Sequence, residues 1–311
     1  MKIAVFGAGG VGGYFGGRLA QAGEQVIFIA RGDHLRAMQT EGLQVDSIQG
    51  DFQVQPVQAT DDPGEVGPVD VVLVAVKAWQ VPHAAETIRP MVAADTIVVP
   101  LENGVEAPDQ LAAVLGEEHV LGGLCHISAY IVEPGHIRHA GLEPDIYFGE
   151  LDGRRSERAE RLLQAFQRAG VKAQIPDNIQ TTMWEKFLFI ASFSGVGAVT
   201  RAPVGVLRSL EPTRELLEEA MQEIVSVAVA REVALPEDVI ENTMAFIDRF
   251  APGVTASMQR DIIEGKPSEL ESQNGAVVRM AYEASVPVPV HTFLYQSLLP
   301  QELRARGEVD F

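Results

Sequence analysis

The opening of the chain limits the possible folds more than any later stretch does. A short apolar run, residues 3–6, passes directly into Gly7-x-Gly9-x-x-Gly12, and a helix-compatible segment, residues 14–21, follows. An unbroken apolar run of this length suits a strand covered on both faces, as in a parallel sheet. Between a strand and a helix each glycine has a separate task. Gly7 permits the tight turn, Gly9 lets a pyrophosphate approach the backbone, and Gly12 lets the helix lie close to the sheet. The helix start then offers unpaired N–H groups and a partial positive charge to phosphates. A glycine turn of purely structural purpose is the alternative. The setting favours a dinucleotide seat built from Gly7, Gly9, Gly10 and Gly12.

The rest of the chain extends this pattern. Residues 25–29, 69–76, 96–101 and 120–127 read as strands, and residues 84–91 and 107–115 as helices. Such alternation implies a doubly wound parallel sheet of the Rossmann type. Residues 43–48 and 52–57, split by Gly50-Asp51, suggest a β-hairpin. Residues 134–149 suggest antiparallel strands closing the domain, before a charged helix (156–169) and a short strand (171–175). The pattern changes at Pro176-Asp177. From there on helical periodicity dominates, over residues 179–193, 211–232, 237–250, 268–284 and 292–303. Asp177 is the expected cap of the first of these helices. Pro212, Pro236 and Pro252 fall near helix starts, where the missing N–H costs little. The expected architecture is an α/β dinucleotide-binding domain, residues 1–176, and an all-helical substrate domain, residues 177–311. At 311 residues the chain has ample material for two cores, and a cleft between domains is the usual place for chemistry.

Composition narrows the partners. A formal net charge of −19 at pH 7 argues against an extended nucleic-acid or anionic-membrane surface, while leaving room for a local basic pocket. Cys125 is the only cysteine, which rules out intrachain disulfides and suits a reducing compartment. The N-terminus has none of the regions of a signal peptide, and no apolar run reaches the roughly 20 residues of a membrane span. A soluble, cytoplasmic protein is expected. The long segments 211–232 and 237–250 could bury apolar faces within the domain or against a second subunit, which leaves a homodimer open.

Cofactor choice is read at the end of the second strand, about 20 residues beyond the glycines, where the adenosine ribose lies. The strand ends Ile29-Ala30-Arg31, with no acid at its tip. The planar fork of Arg31 could pair with a 2′-phosphate, which points to NADP. Asp33, two residues on, could be a displaced acid suited to NAD.

Three further constellations carry possible chemistry. Lys77 and Gln80 follow the strand 69–76, and Asn103 follows the strand 96–101 in Glu102-Asn103-Gly104. Both places lie at the carboxyl ends of parallel strands, where such folds bind ligands, although Asn-Gly is also an ordinary turn dipeptide. The third is split. Lys186 sits in Trp184-Glu185-Lys186-Phe187 within a strongly apolar helix. Burial makes an ammonium a better proton donor, whereas a lysine that snorkels to the surface has no such role. Downstream, Ser268 and Glu271 have the spacing of a capping box, which leaves Glu269 over in the first turn.

Taken in order, these segments resemble the ketopantoate reductase (2-dehydropantoate 2-reductase) family over essentially the whole chain. The matching marks are GAGGVG (7–12), ARGDHL (30–35), VKAWQ (76–80), ENG (102–104), WEKF (184–187), ASM (256–258) and SELE (268–271). The resemblance implies an NADPH-dependent oxidoreductase acting on CH–OH groups, reducing 2-dehydropantoate to (R)-pantoate on the route to pantothenate and coenzyme A. It implies Lys186 as the catalytic lysine that hydrogen-bonds the ketone and donates the proton, and Glu269 as the acid that holds the substrate hydroxyl. Asn103 matches a contact to substrate and cofactor, and Ser257 a carboxylate-binding serine. Arg31 and Gln80 match contacts on the adenosine phosphate side, and Lys77 lines the cofactor. The family often carries asparagines where this sequence has Ile190, Ser194 and Val204, with Ser194 keeping a polar group for the substrate. A site lacking a hydrogen bond loses the discrimination it gave. A reductase for another branched or aromatic 2-oxo acid is therefore the nearest alternative. A non-catalytic NADPH-binding sensor is the alternative from another class, though a sensor has no chemical reason to keep both Lys186 and Glu269. His136 and His139 lack a third ligand and read as surface residues, His126 and Cys125 as core, and residues 154–161 as a solvated charged face. No metal site is expected.

Overall fold

The computed structural model describes residues 1–311. The chain divides into two compact units, Met1–Glu102 with Ala107–Gln180 and Asn103–Glu106 with Thr181–Phe311.

The first unit opens with β1 (Lys2–Phe6), α1 (Gly10–Gln21), β2 (Gln25–Ile29), α2 (Gly32–Glu41), β3 (Leu43–Ser47), β4 (Phe52–Val54) and β5 (Gln58–Thr60). It continues with β6 (Val71–Val74), α3 (Val81–Ile88), β7 (Ile97–Pro100), α4 (Ala107–Leu115), β8 (Leu121–His126), β9 (Ala129–Glu133) and β10 (His136–His139). It closes with β11 (Asp145–Glu150), α5 (Glu157–Arg168) and β12 (Lys172–Gln174). Five strands form an all-parallel sheet in the order β5-β2-β1-β6-β7. The strand period of two sorts its side chains cleanly. Ile3 and Val5 join one apolar cluster with Phe15 and Leu19 of α1 and Phe166 of α5. Ala4 and Phe6 join the other with Ala84 and Ile88 of α3 and Leu111 of α4. Both faces are covered, so β1 beyond Lys2, and β6 and β7 throughout, could be apolar. A parallel bridge from Val98 to Val120 leads on to a three-stranded sheet, β12-β11-β8.

The expected hairpin forms between β3 and β4. Its partner differs from expectation: β10 pairs with β3 in parallel and with β9 antiparallel, giving a separate four-stranded sheet, β4-β3-β10-β9. Helix α1 packs against both sheets, and its glycines face them. A Cβ on Gly16 would meet the Phe28 ring at 2.6 Å, and one on Gly13 would meet Ile137 at 2.0 Å. Helix α2 fills residues 32–41, a stretch with no element expected from the sequence.

The second unit contains α6 (Ile179–Thr200) from Thr181 on, α7 (Val204–Ser209), α8 (Glu211–Ala230), α9 (Val239–Asp248) and α10 (Ser257–Ile263). A π-helical turn (Glu271–Gly275), α11 (Ala276–Ala284) and α12 (Pro289–Ala305) complete it. Residues 191–198 of α6 are buried without interruption. A helix with that pattern is the axis of a helical core, and Phe187, Leu188 and Ala191 pack there with Met221, Ile224, Val277 and Leu294. The helix runs on to Thr200, past the expected end at 193. It starts at Ile179, so Asn178 and not Asp177 precedes it. Helices α7 and α10 were not expected, being one to two turns long.

Candidate active site

At the end of β1, Gly7 has φ +100° and donates its N–H to the Ile29 carbonyl at 3.2 Å. A side chain there would strike the Ala75 carbonyl at 2.7 Å, and one on Gly12 would strike the Gly7 carbonyl at 2.1 Å. Gly10 is held by a neighbour outside the fingerprint, because a Cβ there would meet the Ala129 carbonyl of β9 at 2.1 Å. Gly9 is different. Nothing lies within 4 Å of a Cβ built on it, so the protein's own packing does not require a glycine. Gly9 is also the cap residue of α1, and no side chain caps the helix. An uncapped helix start beside open space fits a pyrophosphate.

Arg31 follows β2, exposed at the cap position of α2. Asp33 forms an exposed ion pair with Arg36 of the same helix. Lys77 and Gln80 are exposed in the turn after β6, where the Lys77 backbone N–H donates to Gln80 Oε1 at 3.2 Å. The buried carboxylate of Glu102 closes this corner. Its two oxygens accept from the N–H of Val76 (3.0 Å) and of Leu101 (3.1 Å), tying together the ends of β6 and β7.

In the helical unit two residues 166 positions apart meet: Asn103 Nδ2 donates to Glu269 Oε2 at 2.9 Å. Gln273 Nε2 reaches the same oxygen at 3.3 Å. Glu269 is only 5% exposed, so these amides supply hydrogen bonds that water cannot. Gln273 was not anticipated. It stands in the π turn, and π turns recur at functional sites, but no sequence pattern announces one. The capping box is a correction. Ser268 Oγ accepts from the Leu270 N–H at 3.2 Å, but Glu271 turns away to Arg279 and Tyr295. Ser268 also bonds the buried carboxylate of Glu302.

Lys186 is half-buried on α6 between the buried Trp184 and Phe187, intermediate between the two sequence readings. Ile190 is half-buried one turn on. Ser194 is fully buried, its Oγ without a hydrogen-bond partner, and Val204 is fully buried in α7. Ser257 is the first residue of α10 and half-buried.

Four side readings change. His139 is buried against Tyr14, with Nδ1 2.9 Å from Ser47 Oγ and Nε2 2.7 Å from the Leu142 carbonyl, and is no surface residue. His136 is also largely covered and pairs with Asp46 at 2.9 Å. On β8 Cys125 is core, but strand alternation turns His126 outward to Asp145 at 2.7 Å. Arg158, expected on a solvated face, makes a two-pronged ion pair with the buried Glu150 at 2.7 and 2.6 Å. That pairing holds the Glu150 carboxyl below its ordinary pKa against the cost of burial, which acts to raise it.

A parallel sheet opening onto an uncapped glycine-rich helix, joined in one chain to a helical unit with a buried acid–amide pair, has the build of a two-unit oxidoreductase. The chain belongs to the ketopantoate reductase family. The profile "Ketopantoate reductase PanE/ApbA" matches residues 3–153, and "Ketopantoate reductase PanE/ApbA C terminal" matches residues 178–302. Over 302 residues it is 33% identical to the uncharacterized oxidoreductase YkpB of Bacillus subtilis (strain 168), spanning 96% of this chain and 98% of that one. It is 30% identical to the 2-dehydropantoate 2-reductase of Nostoc sp. (strain PCC 7120), over 96% and 94% of the two chains. A crystal structure of a PanE/ApbA family ketopantoate reductase from Ralstonia eutropha JMP134 superposes with a TM-score of 0.89 at 32% identity, covering 98% of this chain and all of that one.

Proposed function

We propose that this protein reduces 2-dehydropantoate to (R)-pantoate with NADPH, as a cytoplasmic step towards pantothenate and coenzyme A. The observation that carries the reading is the Asn103–Glu269 hydrogen bond. It fixes the buried carboxylate of Glu269, the residue that the family resemblance assigns to the substrate hydroxyl. When bound, NADPH supplies the hydride that becomes the new C–H bond. The chain's residues do the rest. Lys186 donates a hydrogen bond to the ketone oxygen, polarising the carbonyl, and then gives up the proton that makes the alcohol. It regains that proton from solvent. Both amides reach Glu269 at Oε2, leaving Oε1 to accept the substrate's hydroxyl. Ser257 binds the carboxylate. Arg31 pairs with the 2′-phosphate, with Lys77 and Gln80 along the cofactor, and the N–H groups at Gly9 and Gly10 hold the pyrophosphate.

Replacing Lys186 with Ala should lower turnover by a factor of about 100 or more, the usual contribution of a positioned proton donor, with NADPH binding nearly intact. Turnover equal to the unaltered protein's would overturn the mechanism. A second reading, reduction of another branched or aromatic 2-oxo acid, is favoured by the apolar Ile190 and Val204 and the enclosed Ser194. NADPH oxidation measured with 2-dehydropantoate and a 2-oxo acid panel separates the two. If 2-dehydropantoate were the poorer substrate by about tenfold in kcat/KM, a gap of about 1.4 kcal/mol in transition-state binding, the second reading would replace the first.

A further inference from the structure

His34, the third residue of α2, has no part in the chemistry above, yet its ring joins two loops. Nε2 lies 2.8 Å from the Ala8 carbonyl, and the Gly135 N–H donates to Nδ1 at 3.0 Å. The partners fix the tautomer. A carbonyl can only accept, so Nε2 carries the hydrogen, and a backbone N–H can only donate, so Nδ1 carries the lone pair. Burial keeps the ring's pKa below the ordinary histidine range, in keeping with a neutral imidazole.

Ala8 is the variable residue between Gly7 and Gly9. Its carbonyl belongs to the same planar trans peptide as the Gly9 N–H, and in such a unit C=O and N–H point in opposite directions. The position of Ala8 O therefore sets the direction of the Gly9 N–H. The two peptides before it are steadied as well, since the N–H groups of Gly7 and Ala8 both donate to the Ile29 carbonyl. Gly135 lies in the β9–β10 turn, and β9 also supplies the carbonyl that lies against Gly10. The imidazole thus links the glycine loop to the edge of the second sheet.

We propose that His34 is a positioning residue for the dinucleotide, holding the Ala8–Gly9 peptide so that the Gly9 N–H faces the pyrophosphate. This rests on the reading of the glycine loop as a dinucleotide seat. Because a pyrophosphate is common to NADPH and NADH, the residue acts on both alike, unlike Arg31.

The test is fluorescence titration of the full-length protein with NADPH and with NADH, and competition by adenosine 2′-monophosphate, which has no pyrophosphate. One neutral hydrogen bond corresponds to about three- to tenfold in affinity. His34→Ala should weaken both dinucleotides by that factor and leave adenosine 2′-monophosphate within twofold. His34→Gln, which keeps an N–H for the Ala8 carbonyl, should restore most of the loss, and kcat at saturating NADPH should be unchanged in both variants. Equal affinity of His34→Ala and unaltered protein for the dinucleotides overturns the proposal. So does a His34→Gln variant that melts normally but binds as poorly as His34→Ala. If the unaltered protein binds neither dinucleotide, the cofactor reading itself fails.

Discussion

At the scale of single residues, environment separates side chains that the sequence presents alike. Arg31 is exposed, whereas Arg158 is committed to a buried acid. Only the first is available to a ligand. Arg31→Ala should weaken NADPH about tenfold or more, the value of a charge-assisted contact, and change NADH less than twofold. An unaltered NADPH-to-NADH ratio in the same titration would mean Arg31 does not read the 2′-phosphate. His291 shows a second environment. It is fully buried, with Nε2 on the Ala220 carbonyl and Nδ1 3.1 Å from the amide of Asn274, and burial drives its pKa from 6.5 to about 4. The folded state therefore refuses a proton that the unfolded chain takes up. The associated stability is fully present above pH 6.5 and is lost as pH falls towards 4, by about 3 kcal/mol at 1.36 kcal/mol per unit. Urea melts of the unaltered protein and of His291→Gln should converge over that range. A stability gap that stays constant from pH 7 to pH 4 would refute this.

At the scale of elements, the strands β1, β6 and β7 and the helix α6 were legible because each states its surroundings in its own composition. A run apolar on both faces needs cover on both faces. The second sheet was not legible, since the parallel pairing of β10 with β3 depends on contacts about 90 positions apart. Of the site, Lys186 and Glu269 could be picked out by motif. The role of Gln273 depends on a π turn, and that of His34 on a loop about 100 residues away, so neither could be. The glycine loop gives an element-level test. Gly12→Ala must displace the Gly7 carbonyl, and a collision of this kind typically costs about 1–3 kcal/mol. Gly9→Ala meets no protein atom, so its melting temperature should stay within about 2 °C. Its dinucleotide affinity should nevertheless fall, because the methyl group enters the space left for phosphate. A Gly9→Ala protein that binds NADPH normally would place the phosphates elsewhere.

At the scale of the whole molecule, the apolar interior is divided: two clusters sandwich the parallel sheet, and the helical unit has its own. Domains with separate cores need not unfold in one step. Calorimetry should resolve two transitions, and NADPH should raise the one belonging to the α/β unit, by about 2.7 kcal/mol at a concentration 100 times its Kd. A single transition that shifts as a block would show that the chain unfolds as one. The net charge of −19 is spread over both units, which makes the few exposed cations near the glycine loop stand out.

Residues 103–106 lie in sequence between β7 and α4, yet they belong to the helical unit. Val105 packs in its core, Glu106 pairs with Arg279 at 2.8 Å, and Asn103 holds Glu269. The polypeptide therefore changes unit three times, and no single cut separates the two. A chimera made by splicing a foreign substrate half after residue 180 would carry this protein's own four-residue graft into a site shaped for another. Its acid would meet the wrong amide, and exchange of specificity between relatives would require trading both pieces together.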